Sequence, residues 1–466
     1  MQPTTRLHVS GYRFLVRRME HALVRGDTRM LDDPIRAQSI SLAAGAVLAA
    51  VAAAVCAVLA LVRPAGELGD SLIVVERETG AMYVRVGDTV HPVFNLASAR
   101  LVAGTPADPR LVGRRAVESA HRGSLIGIPA APEKISTPLT AEESVWTVCD
   151  DARGETTVIA GPIADGAVAH GPAVLVTPRG GGAATTYLLY DGRRARVDLR
   201  HHAVVRALQL DGIVPRPVSE AVLSAIPEAP AIVPPTITAA GSPGPSTLRD
   251  HPVGSVLKVP RVDAESSSDT DYFVVLADGV QRIGHVVADL IRYTDARVGE
   301  EIPTVGAGLV GTVPVVEELP VATFPDRGGV TDAAVICSRW HSDPAGERSE
   351  TTVLVGEVTP APGRPVALAQ ADADGPAVDS VLVPAGRSAF VYSVGLTGAG
   401  QGTGSLFLVD DSGVRYGIRD DDAAGSLGLD SAAAPAPWPL LAVLPQGPEL
   451  SRSGASVPHD RAIASP

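Results

Sequence analysis

Lysine is almost absent from this chain. Of its 39 basic residues only Lys134 and Lys258 are lysines, so a lysine-dependent phosphate site has two candidates. A P-loop needs glycine-rich backbone amides followed by Lys and Ser or Thr. Neither lysine follows such a run. The stretch Gly398-Ala399-Gly400-Gln401-Gly402-Thr403-Gly404-Ser405 has the glycines but no lysine, and reads as a flexible loop. Basic charge is scarce overall: 52 acidic residues leave a net charge of −13, the opposite of a nucleic-acid-binding footprint. The chain has no Gly-x-Ser-x-Gly elbow, no His-Glu-x-x-His and no Cys-x-x-Cys, so a hydrolase serine and a zinc site are unsupported. His201-His202 with His170 make a poor metal set, because neighbours on a strand point to opposite faces. Asp420-Asp421-Asp422 lacks the spaced ligands of a calcium loop and reads as a solvated charge run.

Charge is missing altogether from one segment. Ile40 to Val62 is apolar or small at 23 consecutive positions, and about 20 residues of helix cross the hydrocarbon core. A signal peptide has an apolar run of roughly 7–15 residues close to the N-terminus; this run is longer and starts later. It reads as a single transmembrane helix. Arg6, Arg13, Arg17, Arg18, Arg25, Arg29 and Arg36 precede it, while Arg63, Glu67 and Asp70 follow. The positive-inside rule therefore predicts a cytoplasmic N-terminus and about 400 external residues.

Only three cysteines occur. Cys56 lies in the span. Cys149 and Cys337 fall in the external part, where disulfides persist. Each sits in an apolar stretch near a tryptophan: Val145-Trp146-Thr147-Val148-Cys149 and Val335-Ile336-Cys337-Ser338-Arg339-Trp340. The two are predicted to pair; the alternative is two separate buried thiols.

Before the span, Tyr12, Leu15, Val16, Met19, Ala22 and Leu23 recur at helical spacing. Ser10 is the expected N-cap and Gly26 the residue after the helix. Arg13 and Arg17 flank one side of the apolar stripe, Arg18 and Arg25 the other. Such a basic amphipathic helix suits either an anionic leaflet or a cytoplasmic partner.

The external part reads as an internal duplication. Four stretches share an apolar run, a turn ending in Gly and a second short strand. They run Leu72 to Val84 through Gly80, Tyr187 to Val197 through Gly192, Phe273 to Ile283 through Gly279, and Phe407 to Ile418 through Gly413. Their unequal spacing excludes a solenoid or propeller. Thr156-Thr157-Val158-Ile159 echoes Thr351-Thr352-Val353-Leu354, and Val174-Leu175-Val176 echoes Val381-Leu382-Val383. Residues 72–227 and 271–447 are thus two copies of one unit, with the two cysteines at equivalent positions near a pseudo-twofold axis. The expected organisation is a cytoplasmic helix in 1–39 and a span in 40–62. Repeat units follow at 72–120, 185–230, 255–300 and 404–447. Core halves occupy 121–180 and 301–395, with a Pro-rich linker at 228–252 and a disordered tail at 448–466. The fold class is α+β, with a β-rich extracytoplasmic region on one N-terminal transmembrane helix.

The opening Pro3-Thr4-Thr5-Arg6-Leu7, then Val9-Ser10-Gly11-Tyr12-Arg13-Phe14-Leu15, Glu20-His21-Ala22-Leu23-Val24-Arg25 and Arg29-Met30-Leu31-Asp32-Asp33-Pro34, closely resembles the EccB family. That family belongs to the ESX (type VII) secretion machinery of mycobacteria and related actinobacteria. The resemblance continues through the span, both Cys segments and Pro435-Ala436-Pro437 to Leu444-Pro445. It implies a cytoplasmic helix, one span, and a periplasmic core with four repeat domains tied by a disulfide. It also implies an inner-membrane location, self-association, and the partners EccC, EccD, EccE and the mycosin protease, without nucleic acid. The expected function is a structural subunit whose outer domains oligomerise around the export path, with no cofactor. The alternative is an ATPase acting through a non-P-loop site, because such proteins are sometimes classed as ATPases.

Overall fold

A computed structural model describes residues 6–26, 34–62, 68–180, 185–261, 270–294, 301–398 and 404–460. Two helices stand at the N-terminus. Arg6–Arg25 runs for 20 residues and closes on Gly26, whose amide donates to the Ala22 carbonyl at 3.0 Å with φ +65°. Glycine takes that left-handed conformation at little cost. Ser10 lies inside this helix rather than capping it, because Arg6 to Val9 contains no helix-stopping residue. The second helix, Pro34–Val62, opens on a proline, which suits a first-turn position where no N–H partner is needed. Within it Gln38–Val58 spans 21 residues at a mean hydropathy of 2.3, every residue exposed. An apolar surface on all sides is what a lipid-embedded helix presents.

The rest of the described chain is β-rich, around one seven-stranded sheet. Its order is Val168–His170, Ser349–Gly356, Val335–Ser342, Trp146–Asp150, Thr156–Ala160, Ser380–Leu382 and Val366–Ala367. The Trp146–Asp150 and Val335–Ser342 strands run antiparallel at its centre, one from each half of the sequence. Each half also lends a strand to the far side. Val168–His170 pairs with Ser349–Gly356, and Ser380–Leu382 pairs with Thr156–Ala160. The halves are therefore interleaved within one sheet.

Four small domains share one further plan: three antiparallel strands, a helix, and a returning stretch parallel to the third strand. The first copy holds Ile73–Glu76, Met82–Val86, Thr89–Pro92 and helix Leu96–Ala103, with His121–Arg122 returning beside Thr89–Pro92. The second holds Val174–Pro178, Thr186–Tyr190, Arg193–Val197 and helix His202–Ala207, with Glu228–Ile232 returning. The third holds Val256–Pro260, Thr270–Leu276, Gly279–Ile283 and helix His285–Thr294, with Val315 bridging Val280. The fourth holds Arg387–Val394, Leu406–Val409, Arg415–Ile418 and helix Asp421–Leu427, with Gln446 and Leu450 bridging Arg415 and Ile418.

Several expectations change. The repeat is a three-stranded meander, and in its first copy the strand–Gly–strand pattern occurs twice in succession. In the first copy the residue equivalent to Gly192 is Gly87, between the second and third strands, not Gly80. Val174–Pro178, expected in the core and expected to match Val381-Leu382-Val383, is instead the first strand of the second copy. Its counterpart is Arg387–Val394. The linker begins after Ile232, because Glu228–Ile232 pairs with Arg193–Val197, with Arg194 and Arg196 both reaching Glu228. Nor is the tail disordered through 460. Ser451 caps helix Arg452–Ala455, Leu450 is buried, and Pro458–His459 pairs with Leu125–Ile126; residues 461–466 lie outside the described residues. Asp420, expected in a solvated run, caps its helix by accepting from the Ala423 amide at 2.8 Å. Asp421 and Asp422 then sit in the first turn, where the helix dipole favours negative charge.

The copies associate crosswise. Helix Leu96–Ala103 packs on Asp421–Leu427, joining the first copy to the fourth, with Leu101 and Leu427 fully buried. Helix His202–Ala207 packs on His285–Thr294, joining the second to the third, with Val204 and Leu290 fully buried. The second and fourth copies also share one hydrophobic core with the central sheet, through Leu189, Val222, Val391 and Leu440.

Candidate functional site

The joint between the halves is built on register. Cys149 lies directly opposite Cys337 with a Cα–Cα distance of 4.1 Å, and the two are disulfide-bonded. Side chains alternate across a sheet, so the tryptophans three residues away face the other side. There Trp146 and Trp340, also opposite each other, are fully buried among Val148, Ile336 and Val158. The Trp340 indole donates to the Leu396 carbonyl at 2.9 Å and that of Trp146 to Ser144 Oγ at 3.3 Å. On the disulfide face the neighbours are Val335 and Leu354.

Next to Cys149 stands a buried acid that belongs to no sequence motif. The Asp150 carboxylate is fully buried and accepts from Thr156 Oγ1, the Ser219 amide and hydroxyl, and Arg179 Nη2 at 3.1 Å. Burial pushes its carboxyl above the usual range, against the pull of those donors. Ser219 caps helix Glu220–Ser224, so one carboxylate joins the central sheet to the second copy. The only sequence signal for it was an acid closing an otherwise apolar strand.

Among the described residues the N-terminal helix presents an exposed apolar stripe. Tyr12, Leu15, Met19 and Leu23 are exposed by 61–81% and Val16 is partly covered. Arg13, Arg17 and Arg18 are exposed too. The Arg25 side chain lies outside what is described.

Of the two lysines, Lys134 has its Nζ paired with Asp411 Oδ2 at 2.7 Å. Lys258 lies within a strand, its amide donating to Pro303 and its carbonyl accepting from Val305. Neither stands at the head of a helix, where a P-loop lysine acts. Of the Gly398–Ser405 loop, residues 399–403 lie outside the described residues. His201 precedes a short helix that His202 begins, without a side-chain bond to it, and His170 is on a strand. Among the described residues no group of three His, Cys, Asp or Glu could hold a metal.

The family profile described as "Type VII secretion system ESX-1, transport TM domain B" matches residues 1–464. The chain is 39% identical over 482 residues to "ESX-3 secretion system ATPase EccB3" of Mycolicibacterium smegmatis, covering 99% of this chain and 92% of that one. To "ESX-5 secretion system ATPase EccB5" of Mycobacterium tuberculosis it is 32% identical over 485 residues, covering 98% and 94%. Among solved structures, a chain of an intact ESX-5 inner membrane complex matches with a TM-score of 0.72 at 32% identity, covering 100% of this chain and 97% of that one. A chain of the EccB3 dimer from the ESX-3 core complex matches with a TM-score of 0.70 at 32% identity, covering 83% and 100%. With an apolar helix ahead of a duplicated, β-rich body, and with similarity running from end to end, the chain belongs to the EccB family of ESX type VII secretion proteins.

Proposed function

We propose that this chain is a structural, membrane-anchored subunit of an ESX inner-membrane complex. The observation that carries the reading is its fold, which over the full length resembles a chain of the ESX-5 inner membrane complex. The span fixes the chain in the bilayer, with the arginine-rich N-terminus on the cytoplasmic side and the β-rich body in the periplasm. A disulfide-linked core suits that oxidising side. The body associates with further copies of itself, in keeping with the dimer formed by a relative. The basic helix, with Tyr12, Leu15, Met19 and Leu23 outward, docks on the inner leaflet or on the cytoplasmic parts of the complex. EccC, EccD, EccE and the mycosin protease are the partners this reading supplies. The word ATPase in the relatives' names is not carried over, because neither lysine occupies a nucleotide-binding arrangement.

The test is a tagged pull-down from mild-detergent membranes, sized and identified by mass spectrometry. A large particle containing the motor EccC and multi-span proteins is expected. A lone monomer would overturn the subunit reading. Stoichiometric ATP turnover by the purified chain, abolished by a point change, would favour the enzyme instead.

A further inference from the structure

The second and fourth copies correspond in register around one arginine, and they differ in what they offer it. In the second copy Arg194 lies opposite Leu189 in the hairpin and opposite Glu228 in the returning strand, and its amide donates to the Pro227 carbonyl. In the fourth, Arg415 lies opposite Val409, bridges Gln446, and donates its amide to the Pro445 carbonyl. An aromatic ring stacks on each guanidinium at the equivalent place, Tyr187 at 5.5 Å and Phe407 at 5.1 Å.

The surroundings then diverge. Arg194 Nη2 reaches Glu228 Oε2 at 3.3 Å and its Nη1 donates to the Leu223 carbonyl at 2.6 Å, while Arg196 holds the other Glu228 oxygen at 3.0 Å. In the fourth copy Gln446 stands where Glu228 stood, and Gly417, opposite Phe407, stands where Arg196 was opposite Tyr187. Arg415 is only 6% exposed. Among the described residues it makes no ion pair, its Nε, like that of Arg194, has no partner, and its one side-chain hydrogen bond is a long one, Nη2 to Gln446 Oε1 at 3.5 Å. A second ring, Trp438, covers it at 5.0 Å. Beside Gly417 lies an open cavity of about 510 Å³, lined by Phe407, Arg415, Gly417, Arg419 and Gln446.

A buried guanidinium without a counter-charge is costly, and aromatic faces offset only part of that cost. We propose that this cavity binds a carboxylate: an acidic side chain of another polypeptide takes the place that Glu228 fills within the second copy. The planar fork of arginine matches a carboxylate in two-point contact. The mouth carries Glu449, paired with Arg419 at 3.2 Å, and Asp421. These acids favour a singly charged ligand over phosphate. The inference does not rest on the secretion reading.

The test titrates the full chain in detergent with acetate, then with N-acetylglutamate amide, at constant ionic strength, with inorganic phosphate as the contrast. The reporter is the fluorescence of Trp438, 46% exposed, whereas Trp146 and Trp340 are fully buried. A saturable change with both carboxylates is expected, weaker with phosphate, and weakened about tenfold or more in Arg415→Gln. Gln446→Glu supplies the carboxylate internally, so it keeps the fold, melts no lower than the parent and loses the response. The absence of saturation, an unchanged response in a folded Gln446→Glu, or tighter binding of phosphate would overturn the proposal.

Discussion

Trp146 stands directly opposite Trp340 across the central strand pair, on the face of the sheet away from the Cys149–Cys337 bond. The joint between the two halves thus has a covalent side and an apolar side. Replacing Trp340 by Ala removes a fully buried indole and one of the two donors to the Leu396 carbonyl, which keeps Ser349 Oγ at 2.6 Å. A loss of about 3–5 kcal/mol is expected, read as a lowered denaturant midpoint.

The disulfide closes a loop with a sequence separation of 188 residues. Cys149→Ser should lower stability by about 3–5 kcal/mol on the loop-entropy account. Reductant should bring the parent protein towards the variant in a thermal melt and leave the variant itself unmoved. Equal melting of oxidised and reduced parent would remove the disulfide from the stability argument.

Asp150→Ala strips Arg179 of its buried counter-charge and Ser219 of its acceptor. Unpairing a buried charge costs about 3–5 kcal/mol. Amide exchange should quicken first in the second copy, around helix Glu220–Ser224, before the third copy is affected.

Acid should loosen the attachment of residues 134–143 to the fourth copy. The Arg387 guanidinium, with the Thr140 amide, holds the Glu143 carboxyl below its usual range, and Lys134 does the same for Asp411. A depressed carboxyl stabilises the fold above its unfolded pKa of about 4 and loses that contribution as pH falls through the folded value. Stability should therefore decline below about pH 4, with a shallower decline in Glu143→Gln. Identical acid profiles would show that the pair contributes nothing.

Leu15→Glu and Met19→Glu place charge on the exposed stripe of the first helix and change no residue of the β-rich body. The body should melt unchanged while co-purification of the complex falls several-fold. Retained assembly would assign the stripe no docking role.

Legibility in the sequence followed the range of each interaction. The uncharged run of Ile40–Val62, the Gly26 stop and the apolar stripe are properties of neighbouring residues, and all are present in the helices. Local patterning also marked the hairpins at Gly192, Gly279 and Gly413. It took Gly80 as the match where Gly87 is, because the first copy carries a Gly turn in both of its connections. Val174-Leu175-Val176 and Val381-Leu382-Val383 read alike as buried β-branched strands, and nothing local says which sheet each one joins.

By itself the sequence determined the long uncharged run and the acidic balance, and it predicted two similar halves with Cys149 and Cys337 at matching positions. These rest on composition, periodicity and self-similarity, which survive without a fold. The tertiary structure alone decided that the halves interleave, that the first copy packs on the fourth and the second on the third, and that Glu228 meets Arg194 while Arg415 has the Gln446 amide at the equivalent place. Strand order and charge pairing across some hundreds of residues depend on which surfaces bury each other, and that choice is made by the whole chain at once.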